Sequence, residues 1–120
     1  MGDIKLSREK VQDAPPVVSL RISGEMGGLN GRQAEAYFDE ILLADKPKHV
    51  LLDLGELTFA DSAFFSSLLF WREEMMKRGG ALVLFGLRPE IASTMRLLTL
   101  DRVLSVKADK AAALAALPKE

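Results

Sequence analysis

Two apolar runs, His49-Val50-Leu51-Leu52-Asp53-Leu54 and Ala81-Leu82-Val83-Leu84-Phe85, do most to limit what this chain can fold into. Each is short for a helix and apolar at consecutive positions, so both of its faces must be covered. That is the pattern of inner strands in a sheet with layers on both sides, and parallel strands of this kind need a long connection between them. The intervening residues supply one. Helical apolar spacing runs from Ser62 to about Lys77 and is stopped by Gly79-Gly80, of which one glycine is expected to close the helix in the left-handed conformation.

The rest of the chain extends this alternation without repeats or low-complexity tracts. Residues 4–11 alternate loosely and residues 17–23 alternate well; joined by the stiff Gln12-Asp13-Ala14-Pro15-Pro16, they can pair as a hairpin. Ser23-Gly24 end that strand, and Gly24-Glu25-Met26-Gly27-Gly28 interrupts. Asn30 caps a predicted helix over 30–44, with Ala34, Tyr37, Phe38, Ile41 and Leu42 on one face, ended by Lys46-Pro47. Pro89 opens a helix over about 90–98, where its missing N–H is no loss. Residues 103–106 form a last strand, and Asp109 caps an Ala-rich helix over 110–117. The expectation is a single α/β domain spanning 1–120, its core about 4–117. Its mixed sheet begins with the hairpin and continues with parallel strands, and about four helices pack on it.

Composition bounds the function. Sixteen basic and seventeen acidic residues give a net charge of -1, so overall charge favours neither nucleic acid nor an anionic membrane as partner. The absence of cysteine excludes disulfides, thiolate catalysis and Cys-ligated metal, and is compatible with a reducing compartment. MGDIKLSREK lacks the apolar core of a signal peptide, and no apolar run approaches the ~20 residues a spanning helix needs, so a cytoplasmic location is expected. His49, the one histidine, has no second His or Cys with which to hold a metal. Gly24-Glu25-Met26-Gly27-Gly28 has neither the Lys of a phosphate loop nor dinucleotide spacing. Asp53, Glu56 and Asp61 are close in sequence, but at strand and turn positions such carboxylates are usually solvated. No enzyme activity, cofactor or metal is expected.

The stretch Leu57-Thr58-Phe59-Ala60-Asp61-Ser62-Ala63-Phe64-Phe65-Ser66-Ser67-Leu68-Leu69-Phe70-Trp71 carries the functional signal. Residues 57–60 belong to a hydrophobic run that breaks at the Asp61-Ser62 pair. Asp61 and Ser62 are both good N-caps for the helix that follows, and on the residues alone capping is the first reading. A serine at a helix N-terminus also faces unpaired N–H groups and the positive end of the dipole, which favour a phosphate there. At 100° per residue Phe65, Leu68, Leu69, Arg72, Met75 and Met76 share the sheet-facing side, with Phe64 and Trp71 at its margin. Phe70 lies in the opposite, polar arc. Jointly accessible, Phe64, Phe70 and Trp71 would form the aromatic anchor of a protein interface. Arg72 is expected to lay its stem on the core and its head on a carboxylate or in solvent.

The order strand, "ISGEM", helix, "HVLLDLGELTFADSAFFSSL", "RGG", "ALVLFG", "PEIASTMRLLTLDRVLSV" and "KAAALAAL" resembles the STAS domain of bacterial anti-sigma factor antagonists over nearly the whole chain. The resemblance implies a short hydrophobic turn over residues 57–60 before the Asp-Ser pair, and a non-enzymatic module that binds an anti-sigma factor which is a serine kinase. Phosphorylation of its serine, here Ser62, ends that binding and Asp61 is the adjacent acid. Two positions depart from the common pattern: Phe64 stands where glycine is usual, placing a bulky ring beside the serine, and Gly27 stands where an acidic residue is frequent. Both suit a second STAS role, a scaffold or docking subunit of a stressosome-like or transporter-associated kind without phosphorylation. The partner-binding surface is expected at Asp61, Ser62, Ala63, Phe64, Phe70 and Trp71.

Overall fold

The computed structural model describes residues 3–27 and 30–118; Gly28, part of the interruption noted above, lies outside them. The long hairpin forms as expected from β1 (Ile4–Asp13) and β2 (Pro16–Met26), antiparallel with Ile4 opposite Gly24 and Asp13 opposite Pro16. Then come α1 (Asn30–Ala44), β3 (His49–Asp53), β4 (Leu57–Ala60), α2 (Ser62–Lys77), β5 (Leu82–Phe85), α3 (Pro89–Leu97), β6 (Ser105–Lys107) and α4 (Lys110–Ala115). The sheet runs β1-β2-β3-β5-β6, parallel from β2 onward, with β4 also paired parallel to β2.

Alternation along the strands divides two cores. Val18, Leu20, Ile22, Val50, Leu52, Leu82 and Leu84 point to the face covered by α1, α2 and α3. Val17, Leu51, Val83 and Phe85 point to the other, where Ala113, Leu114 and Leu117 of the α4 region cover them. This explains why the β3 and β5 sequences are apolar at consecutive positions.

β2 is longer than expected. Gly24 does not end it: at φ +103 it bends the strand, the register shifts between Gly24 and Glu25, and the strand continues to pair with β4. A Cβ on Gly24 would lie 2.2 Å from the Asp3 carbonyl oxygen, so only glycine fits. β4, expected as a turn, lies along the same edge of β2 as β3, with Leu57 opposite Gly24 and Ala60 opposite Met26. At the other end, residues 103–106 are not one strand. Thr99 takes the left-handed conformation (φ +57), a 3-10 turn occupies Leu100–Arg102, and β6 begins only at Ser105.

The helix stops follow the sequence closely. Gly79 adopts φ +76 after α2, and the Gly80 N–H donates to the Met75 carbonyl at 2.8 Å. Pro89 opens α3. Asp109 caps α4 by accepting the Ala112 N–H at 2.8 Å. His49 is buried, and its Nδ1 accepts the Ala81 N–H at 3.0 Å, joining β3 to the residue before β5.

Candidate functional site

The chain leaves β4 and turns into α2 at Asp61, and three hydrogen bonds fix that turn. The Asp61 N–H donates to the Met26 carbonyl at 3.1 Å, which ties the helix start to the end of β2. Asp61 itself is extended (φ -95, ψ 177), as an N-cap residue must be, and its Oδ1 accepts the Phe64 N–H at 3.1 Å. Its carbonyl accepts the Phe64 N–H at 3.1 Å as well. Asp61 is therefore the cap.

Ser62, the first helical residue, is exposed and is not needed to cap anything. Its hydroxyl stands in solvent at the positive end of a sixteen-residue helix. Ala63 is exposed beside it. Phe64 is not: it is 2% exposed, tilted against Phe65 at 6.3 Å and edge-on to Trp71 at 6.1 Å. The ring that replaces the usual glycine therefore enters the core and leaves the approach to Ser62 open. Gly27 lies on the other side of Asp61. A Cβ there would stand 3.2 Å from Asp61 Oδ2 and 3.3 Å from the Phe59 ring, so this chain's geometry leaves little room for the larger acidic side chain.

The expected aromatic anchor is corrected by burial. Trp71 is 1% exposed and stacks on Phe38 of α1 at 4.6 Å with 9° between the ring planes. Phe64 and Trp71 are thus core residues and do not project as anchors; Phe70, 58% exposed, projects without them. The cause is that α1 covers one flank of α2. The buried arc turns toward α1 to take in Phe64 and Trp71, and away from Met76, which is exposed. Arg72 behaves as expected, half-buried with Nη1 on Glu73 Oε1 at 3.2 Å.

Sequence reading missed Phe59, which is 48% exposed on β4 close to Gly27 and Asp61. Its signal was weak, since an apolar residue next to Leu57 in an apolar tetrapeptide looks like core. The three neighbouring carboxylates are each engaged with separate partners. Asp53 accepts from Arg21 Nε at 2.9 Å and from the Gly55 N–H at 3.1 Å, Glu56 meets Arg88 at 3.3 Å, and Asp61 caps α2. Among the described residues, no group of three or more His, Asp or Glu side chains could hold a metal, and no helix is long and apolar enough to cross a membrane.

A family model for the STAS domain matches residues 9–113. The chain belongs to the STAS domain family. Solved structures agree with that assignment. An anti-sigma factor antagonist from Mycobacterium paratuberculosis is 22% identical with a TM-score of 0.83, covering 96% of this chain and 94% of that one. TM1081 of Thermotoga maritima is 18% identical with a TM-score of 0.84, covering 95% of each chain. The Bacillus anti-sigma factor antagonist SpoIIAA, in its unphosphorylated form, is 18% identical with a TM-score of 0.71, covering 92% of this chain and 94% of that one. Its phosphorylated form is similar at a TM-score of 0.68. At such identities these neighbours establish that this STAS domain shares their fold.

Proposed function

We propose that this STAS domain is a cytoplasmic anti-sigma factor antagonist that acts by binding rather than catalysis. The unphosphorylated surface around Ser62 engages an anti-sigma factor that is a serine kinase. Phosphate transferred to the Ser62 hydroxyl ends the engagement. The observation that carries this reading is the division of labour at the start of α2: Asp61 caps the helix, leaving Ser62 exposed and its hydroxyl available. The existence of SpoIIAA in unphosphorylated and phosphorylated forms on the same fold supports it by analogy.

The physical switch is electrostatic. A phosphate adds a charge of about -1.5 to -2 at neutral pH. The helix N-terminus tolerates that charge, so the fold is retained. Beside Asp61, however, it makes a strongly anionic patch where a neutral hydroxyl had been, and a surface fitted to the hydroxyl is repelled.

The test is intact mass after incubation with ATP and active lysate of the host, alongside Ser62→Ala. A gain of one phosphoryl group, absent from the variant, is expected; no gain while a control substrate is phosphorylated would overturn the switch. On binding, Ser62→Asp is expected to weaken the anti-sigma partner and Ser62→Ala to retain it. The scaffold role remains the second reading because Phe70 is a large exposed aromatic away from the helix start. It predicts that Phe70→Ala weakens a docking partner while Ser62 substitutions have no effect. Trp71 variants do not test it, since that ring is in the core.

A further inference from the structure

Two turns along α2 from Ser62, α1 and α2 leave a groove of about 330 Å³ lined by Glu35, Asp39, Phe70 and Trp71. Trp71 closes it from the core side and is held in place by its stack on Phe38. Phe70, more than half exposed, forms a wall. The remaining two lining residues are carboxylates from α1, one helical turn apart.

Those carboxylates are not neutralised. Among the described residues neither Glu35 nor Asp39 has a Lys or Arg within ion-pair distance, and Glu35 accepts only the Ser67 hydroxyl, at 2.9 Å. The nearby acids of α2 are engaged locally, Glu73 by Arg72 and Glu74 by Lys77. The groove therefore combines an exposed phenyl ring with uncompensated negative charge. An acidic partner would be repelled, and a purely apolar one would bury two carboxylates without partners, which is costly. A guanidinium satisfies both elements, since its planar face stacks on an aromatic ring while its N–H groups reach carboxylates.

We infer that the groove between α1 and α2 receives an arginine side chain from a partner protein. This rests on the reading of the domain as a protein-binding module but not on the Ser62 switch. The arginine would act as an orienting anchor about 12 Å along the helix from Ser62, at 1.5 Å per residue. Two separated contacts on one helix fix how a partner sits, whereas one permits rotation.

The experiment titrates the full chain with N-acetyl-arginine amide and, separately, with N-acetyl-citrulline amide, which has nearly the same shape without the charge. Fluorescence of Trp71, the chain's one tryptophan, and backbone amide shifts report occupancy. Saturable changes at Glu35, Asp39, Phe70 and Trp71 are expected with the arginine compound, with at least fivefold weaker response to citrulline. Asp39→Asn and Glu35→Gln should each weaken binding by about threefold, in line with a surface ion pair. Phe70→Ala should weaken it further without changing the thermal melt. No saturable response up to the solubility limit, equal response to citrulline, or full binding in the Glu35→Gln/Asp39→Asn double variant would overturn the inference. Intact-mass phosphorylation of the same variants separates the two readings. No arginine response in the wild-type chain with Ser62 still phosphorylated refutes only the groove, and a saturable groove without phosphorylation refutes only the switch.

Discussion

Replacing Asp61 separates its structural role from its charge. In Asp61→Ala the side-chain hydrogen bond to the Phe64 N–H, 3.1 Å long, is lost. Loss of an N-cap costs about 1 kcal/mol, within roughly 0.5–2. The missing carboxylate also removes about 0.3–1 kcal/mol of favourable interaction with the helix dipole. The sum is about 1.5–2 kcal/mol. For a domain of this size each kcal/mol moves the midpoint by about 3–6 °C, so Asp61→Ala should melt about 5–12 °C below the wild type. Asp61→Asn keeps a capping oxygen and loses the charge, so its midpoint should fall by about 1–6 °C. Thermal unfolding followed by circular dichroism on the three proteins decides the matter. An alanine variant within 2 °C of wild type would refute the assignment of Asp61 as the cap. An asparagine variant as unstable as the alanine one would show that charge, not the hydrogen bond, holds the helix start.

Three further outcomes follow from the packing. Phe38→Ala should cost about 3–5 kcal/mol in urea unfolding, because it opens a cavity and removes the stack on Trp71; a cost below about 1.5 kcal/mol would contradict the packing between α1 and α2. Gly80→Ala should destabilise severely, since its Cβ would fall 1.7 Å from the Lys48 carbonyl oxygen and the backbone must move; a soluble variant with wild-type melting would refute that close approach. The Lys110 hydrogen bond and charge hold the Glu9 carboxyl below its ordinary value. A depressed carboxylate contributes stability that is present above its unfolded pKa and lost as pH falls through the folded one. Lys110→Ala should therefore move the Glu9 titration upward, read by NMR, and flatten that part of the acid dependence of stability; an unmoved Glu9 titration would rule the pair out in solution.

What could be read from sequence depended on whether local pattern or neighbouring elements decided the outcome. β3 and β5 were legible because both faces are buried, and every residue but Asp53 is buried. β4 was not. Of its four residues only Leu57 is buried, and pairing with the distant end of β2 makes it a strand. Helical spacing located α2 and its stop, but not the direction from which a second helix covers it. Trp71 consequently moved from the margin of the face to the centre of the core, and Phe38 is the residue responsible. At the candidate site, Asp61 and Ser62 were both visible as potential caps. Only backbone geometry assigns the cap to Asp61 and leaves Ser62 outside it.

β2 serves two neighbours along one edge, β3 with residues 17–21 and β4 with residues 24–26, and its last carbonyl holds the Asp61 N–H. The first residue of α2 is thereby mounted on the sheet and not on a loop. On the switch proposed for Ser62, a docked surface that meets a new charge at residue 62 faces a helix start tied to the sheet by the Asp61 N–H, which limits relief by local retreat. The proposed switch would then be expressed as faster departure of the partner, and its readout would be complex lifetime more than any change in the domain's shape.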